Sequence, residues 1–166
     1  MLKIVTTQLQ GLFQRIATNE EENIEDTARL LAQAGVGEGH IYFACFDEFE
    51  AIMLHATNEE PFYKMLPYTT DTTLTPADRV CIFTKTADDE AAIHLASTLD
   101  VPYAVVASEV KNGENRLFEE SYTYINLQVR GGLIPGETGE RFLHPDLFAA
   151  LFVYEAVKLS FNEMIQ

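Results

Sequence analysis

Two short segments of this chain set hydroxyls, carboxylates and a lysine directly after hydrophobic runs: Ala44-Cys45-Phe46-Asp47-Glu48 and Thr84-Lys85-Thr86-Ala87-Asp88-Asp89. The backbone N–H groups that open a helix, aided by nearby hydroxyls, can hold an anion such as phosphate. Because ligands of open α/β sheets bind beyond the carboxyl ends of the strands, Cys45, Phe46, Thr84, Lys85, Thr86 and Asp89 in these turns are the candidate ligand contacts. Charge complicates this reading. An exposed anion gains about 0.3–1 kcal/mol at a helix N-terminus, whereas two like charges 4 Å apart repel by about 1 kcal/mol in water and about 4 at an effective dielectric of 20. Glu48 and Asp89 would occupy the favourable field themselves, and Lys85 is the nearest compensating charge. If the site moves a proton beside a carbonyl, Glu48 and His144 are the residues whose type allows it. Asp47, Glu48, Asp88 and Asp89 also offer oxygen ligands to a hard cation, but no motif spacing supports a metal, and neither metal nor cofactor is expected.

The elements that must carry these segments are visible as periodicities. Leu2, Val5, Leu9, Leu12, Phe13 and Ile16 recur at helical spacing, and Asn19 with Glu22 resembles the cap of a second helix bearing Ile24, Ala28, Leu31 and Ala32. Strands are expected at 40–46, 79–84, 101–107 and 122–129, the last with the alternation of a half-covered strand, and a short edge strand within 62–68. Helices follow the first and second of these runs, at about 49–57 and 88–99. A polar segment spans 108–121. A glycine-containing loop spans 130–144, with Arg130 and Arg141 as its natural anion contacts, and Pro145 opens a final helix.

Strands alternating with helices imply an α/β fold: a three-layer α/β/α sandwich around about five parallel strands in flavodoxin-like order. In that order the first and third strands are neighbours at the switch point, which brings the two acidic turns together. We read residues 1–166 as a single domain, with a helical region at about 1–34, a sheet core at about 40–129 and a last helix at about 145–165. The apolar residues of that last helix are too widely spread for one buried stripe, so a second contact surface is expected.

Bulk composition narrows the function. The chain has 26 acidic and 11 basic residues and a formal charge of -15. Such a field repels nucleic acid and anionic membrane surfaces, so neither is an expected partner. No secretory segment opens the chain and no apolar run reaches membrane-spanning length, so the expected location is cytoplasmic. Cys45 and Cys81 form no C-x-x-C pair. No Gly-x-Ser-x-Gly elbow, Walker-type loop or Gly-x-Gly-x-x-Gly run is present, which removes the specific signals of hydrolases, NTPases and dinucleotide enzymes.

The order of elements and the two turns resemble the sugar isomerase (SIS) fold, in its phosphoheptose-isomerase-like branch, and a small bacterial family of uncharacterised SIS-like proteins. In phosphosugar binders of that fold the first turn offers glycines ending in serine, and the second reads like Ser-x-Ser-Gly-x-Thr or Ser. Here Glu48 stands at the serine position. Thr84 and Thr86 keep the early hydroxyls, while Ala87 replaces the glycine and Asp89 the late hydroxyl. The resemblance implies a phosphorylated sugar or related carbohydrate derivative as ligand, degenerate phosphate turns with little or no isomerase catalysis, and a homo-oligomer, most simply a dimer. The alternative expectation is a non-catalytic regulatory or interaction module whose ancestral pocket is closed by carboxylates and Phe46.

Overall fold

In the computed structural model, which describes residues 1–166, two helices come first: α1 (Leu2–Asn19) and α2 (Glu21–Val36). β1 (Ile41–Cys45) then runs through a 3-10 turn (Asp47–Phe49) into α3 (Glu50–Ala56), followed by β2 (Met65–Pro67) and β3 (Arg79–Thr86). α4 (Glu90–Ser97), β4 (Tyr103–Ser108), α5 (Arg116–Glu120) and β5 (Thr123–Asn126) complete the sheet. A two-residue ribbon, β6 (Ile134–Pro135) and β7 (Arg141–Phe142), precedes α6 (Asp146–Ile165).

The five main strands are all parallel in the order β2-β1-β3-β4-β5, the expected flavodoxin-like arrangement. Because side chains alternate across a strand, Ile41, Phe43, Cys81, Phe83, Ala104 and Val106 face one layer, which α1, α2, α3 and α6 cover. Val80, Ile82, Val105 and Ala107 face the other, under α4 and α5. The first layer is the thicker. At its centre Phe43 lies 5.1 Å from both Phe62 and Phe83 between ring centroids, and meets Tyr154 of α6 edge-on at 6.1 Å. Gly35 lets α2 and α6 approach closely, since a Cβ there would sit 2.9 Å from Phe161 Cζ.

A clamp at the amino ends of β1 and β3 sets the pairing that matters for the opposite rim. The buried carboxylate of Asp78 accepts the backbone N–H groups of His40 and Thr75, both at 2.7 Å. Burial pushes its pKa up, but these hydrogen bonds and the nearby His40 together hold it below the ordinary aspartate value. Gly39 completes the clamp, because a Cβ there would stand 1.9 Å from the carbonyl oxygen of Ala77.

Several local expectations are corrected. Asn19 does not cap α2: it ends α1, and its amide donates to Gln128 Oε1 at 3.1 Å. The polar segment after β4 contains α5, and the loop after β5 contains the β6/β7 ribbon. β5 stops at Asn126, and Thr123, Tyr124 and Ile125 are all buried, because α2 and α5 cover the two faces of what read as a half-covered strand. The surplus apolar surface is present: Met1 ahead of α1, Leu2 and Ile4 on α1, and Phe148 and Leu159 on α6 are exposed. No helix is long and apolar enough to cross a membrane.

Candidate functional site

The two turns do meet. The backbone N–H of Phe46 donates to the Phe83 carbonyl at 3.0 Å, and Lys85 Nζ lies 2.7 Å from Glu48 Oε1, an ion pair from one turn to the other. Asp47 takes a left-handed conformation, φ 54°, which an aspartate tolerates better than most residues and which starts the 3-10 turn. On β3 the pairing with β4 shifts register between Phe83 and Thr86. Such an irregularity re-aims side chains. Thr84 is buried, with its hydroxyl donating to Asp89 Oδ2 at 2.8 Å, while Lys85 reaches outward to Glu48. The Glu48 carboxylate, through its hydrogen bond and then its charge, raises the Lys85 pKa above its ordinary value, with Asp146 and Asp47 adding to the effect and partial desolvation opposing it.

Glu48, Thr84, Lys85 and Asp89 are thus satisfied by one another. Cys45 is half-buried, and burial, with Glu50 nearby, pushes its thiol up to about 12. It is no thiolate nucleophile at neutral pH. Phe46 is half-buried and packs on the α4/α5 side of the sheet. No three of the histidines, cysteines and carboxylates come together in a way that could hold a metal ion.

Open space lies further along the same rim. A cleft of about 590 Å³ beyond β3, β4 and β5 is lined by Lys85, Thr86, Lys111, Asn126, Arg130 and His144, with Glu109 and Asp146 among its other walls. A second cleft of about 440 Å³ adjoins it and shares Gln128, Val129, Arg130 and Gly131. Arg15, Gly132 and Arg141 complete its polar wall, and no carboxylate lines it. Of the eight residues nominated from the sequence, Lys85, Thr86 and His144 line the first cleft, whereas Cys45, Phe46, Glu48, Thr84 and Asp89 line neither.

The rim is built by Asn126 and Gln128. The Asn126 side-chain oxygen accepts the backbone N–H groups of Glu109, at 3.2 Å, and Gln128, at 3.0 Å, while the backbone N–H of Asn126 donates to Glu20 Oε1 at 2.8 Å. Gln128 has φ 60°, so the chain leaves the strand direction there and turns across the end of α1. Arg141 is pinned by donating from Nε to the Gly132 carbonyl at 2.7 Å and from Nη2 to that of Leu133 at 3.2 Å. Arg15, Lys111 and Arg130, by contrast, have neither a salt bridge nor a side-chain hydrogen bond within the chain. Five of the eleven basic residues, Arg15, Lys85, Lys111, Arg130 and Arg141, therefore line two contiguous clefts of a chain whose formal charge is -15. Arg15, Lys111, Asn126 and Gln128 were not picked out from the sequence. The usable signal was the scarcity of cations, which makes the destination of each one informative.

This architecture is shared by several solved structures. A Bacteroides fragilis protein described as a candidate phosphosugar isomerase involved in capsule formation superposes with a TM-score of 0.72 at 11% identity, covering 98% of this chain and 89% of its own. A Methanococcus jannaschii protein, whose structure was taken to infer a 3-hexulose-6-phosphate isomerase function, gives 0.64 at 14%, covering 98% and 90%. A Listeria monocytogenes protein described as a candidate sugar-phosphate isomerase gives 0.55 at 18%, covering 99% and 86%. The class shown is therefore an α/β domain with the fold of these proteins. Residues 1–165 match the family model described as domain of unknown function DUF2529, and the uncharacterized protein YwjG of Bacillus subtilis (strain 168) is 36% identical over 174 residues, spanning 100% of this chain and 98% of that protein. The chain belongs to the DUF2529 family.

Proposed function

We propose that this protein binds a phosphorylated sugar or a related carbohydrate derivative in the paired clefts at the carboxyl rim of the sheet, with little or no turnover. The observation that carries the reading is the gathering of five of eleven cations there, against the sign of the whole chain. Ligands of open α/β sheets bind beyond the carboxyl ends of the strands, and guanidinium groups suit phosphate through paired hydrogen bonds. The hydroxyls kept in the second turn favour the phosphoheptose-isomerase-like branch of the fold. The closure of the turns argues against catalysis, since Glu48, a candidate base, is held by Lys85, leaving His144 alone at the cleft. That closure also supports the second reading, a regulatory module without a small ligand.

A thermal-shift panel of sugar phosphates on the full chain separates the two. A ligand present at 100 times its Kd stabilises the native state by about 2.7 kcal/mol, which for a domain of this size raises Tm by about 5 °C or more. A flat panel sinks the ligand-binding reading and leaves the regulatory one.

A further inference from the structure

We infer that the phosphate group is seated in the cleft of Arg15, Arg130 and Arg141 beyond β5, and not at the turns after β1 and β3. This rests on the ligand-binding reading above and assigns its anion contacts. At the turns the Thr84 hydroxyl already donates to Asp89, and Lys85 already faces Glu48. An incoming phosphate there would have to displace two carboxylates of the protein itself. In the arginine cleft it would displace none, because no Asp or Glu lines it.

The donors of that cleft are also available. Arg15 and Arg130 have no partner within the chain. Arg141 is held against two loop carbonyls through Nε and Nη2, which orients the guanidinium and leaves Nη1 unengaged. Orientation before binding reduces the ordering cost of the contact. The backbone N–H groups of Arg130, Gly131 and Gly132 likewise find no acceptor within the chain. Gly131 has φ 122°, and successive free N–H groups around such a bend form an anion-binding concavity. The adjoining cleft, which shares residues 128–131, has the complementary chemistry: Glu109, Asn126 and Asp146 can accept and exchange hydrogen bonds with sugar hydroxyls. The phosphate then sits on the arginine side and the sugar on the carboxylate and amide side.

The test uses inorganic phosphate, followed by ³¹P line broadening, together with whichever sugar phosphate stabilises the wild-type chain most in the thermal panel. Arg15→Gln and Arg141→Gln are each expected to weaken both ligands by at least tenfold, and Thr84→Val to change neither by more than threefold. Arg15 is exposed and makes no side-chain hydrogen bond, so its variant should keep the wild-type Tm and isolates the anion contact even if Arg141→Gln loosens the ribbon. If sugar phosphates bind, and Thr84→Val abolishes binding while Arg15→Gln does not, the seat is at the turns: this inference falls and the proposed function stands. If the panel is flat but phosphate still broadens and Arg15→Gln removes the broadening, the seat stands and the sugar reading falls. No broadening with the wild-type chain overturns the seat.

Discussion

The turns after β1 and β3 and the arginine-lined rim beyond β5 use charge in opposite ways. At the turns four polar side chains are paired within the protein: Glu48 takes Lys85, and Asp89 takes Thr84. At the rim Arg15, Lys111 and Arg130 are left without one, although the chain holds 26 carboxylates. The difference separates structural polarity from available polarity. A satisfied pair contributes to the folded state and has little left for a ligand, whereas an unpaired cation held at a cleft gains its partner only on binding.

The comparison is broken most forcefully at Asp89. Removing its carboxylate leaves the hydroxyl of Thr84, a residue 1% exposed, without an acceptor. An orphaned buried donor costs about 1 to 3 kcal/mol, or a Tm fall of roughly 2 to 12 °C for a chain of this length. Asp89→Ala should therefore destabilise while leaving sugar-phosphate affinity nearly unchanged. An unchanged Tm with a lost ligand would reverse the assignment of the two regions.

A smaller effect sharpens the rim. Glu20 is buried where α1 meets α2 and holds the Asn126 backbone at the base of the cleft. Burial first, and the charge of Glu109 last, raise its pKa above the ordinary glutamate value against the lowering hydrogen bonds from Asn126 and Asn23. Because the folded value is raised, the stability linked to the protonated group is fully present below the unfolded pKa, about 4.3, and is lost as pH rises through the folded value. Glu20→Gln keeps an acceptor for Asn126 and removes the charge. Its Tm should exceed that of the wild type at pH 7, with the gap closing near pH 4. A wild-type chain that is the more stable at pH 7 would mean that the rim depends on this negative charge.

How much of this was legible depends on the length of each signal. The five parallel strands and their order followed from apolar runs alternating with helical periods, and the meeting of the two turns followed from that order. α5, with five residues, and the ribbon, with two in each strand, are too short to show a period. β5 read as half-covered because Thr123 is polar, yet Thr123 is buried and its hydroxyl accepts that of Thr27 at 2.9 Å. At the cleft, Arg130 and Arg141 were visible in the sequence as the two arginines of one loop, and both line it. Arg15 was not, since it lies on the solvent side of a helix more than a hundred residues earlier, and only the turn at Gln128 brings that loop beside it.

The smallest effect tests whether the turns are closed by Glu48 itself. The Lys85–Glu48 pair is exposed on both sides, 45% and 44% for the two side chains. An exposed ion pair is worth about 0.2 to 1 kcal/mol, and it weakens with salt. Glu48→Gln should thus lower Tm by only a few degrees in dilute buffer, and by less at 1 M NaCl. It also frees the ammonium of Lys85, which already lines the first cleft, so sugar-phosphate affinity should rise by less than about tenfold. The sign of that change is the discriminating quantity. A rise means that Glu48 competes with the ligand for Lys85, as the closed-turn picture requires. A fall, together with loss of any measurable isomerisation, would make Glu48 a working base and return the chemistry to the switch point.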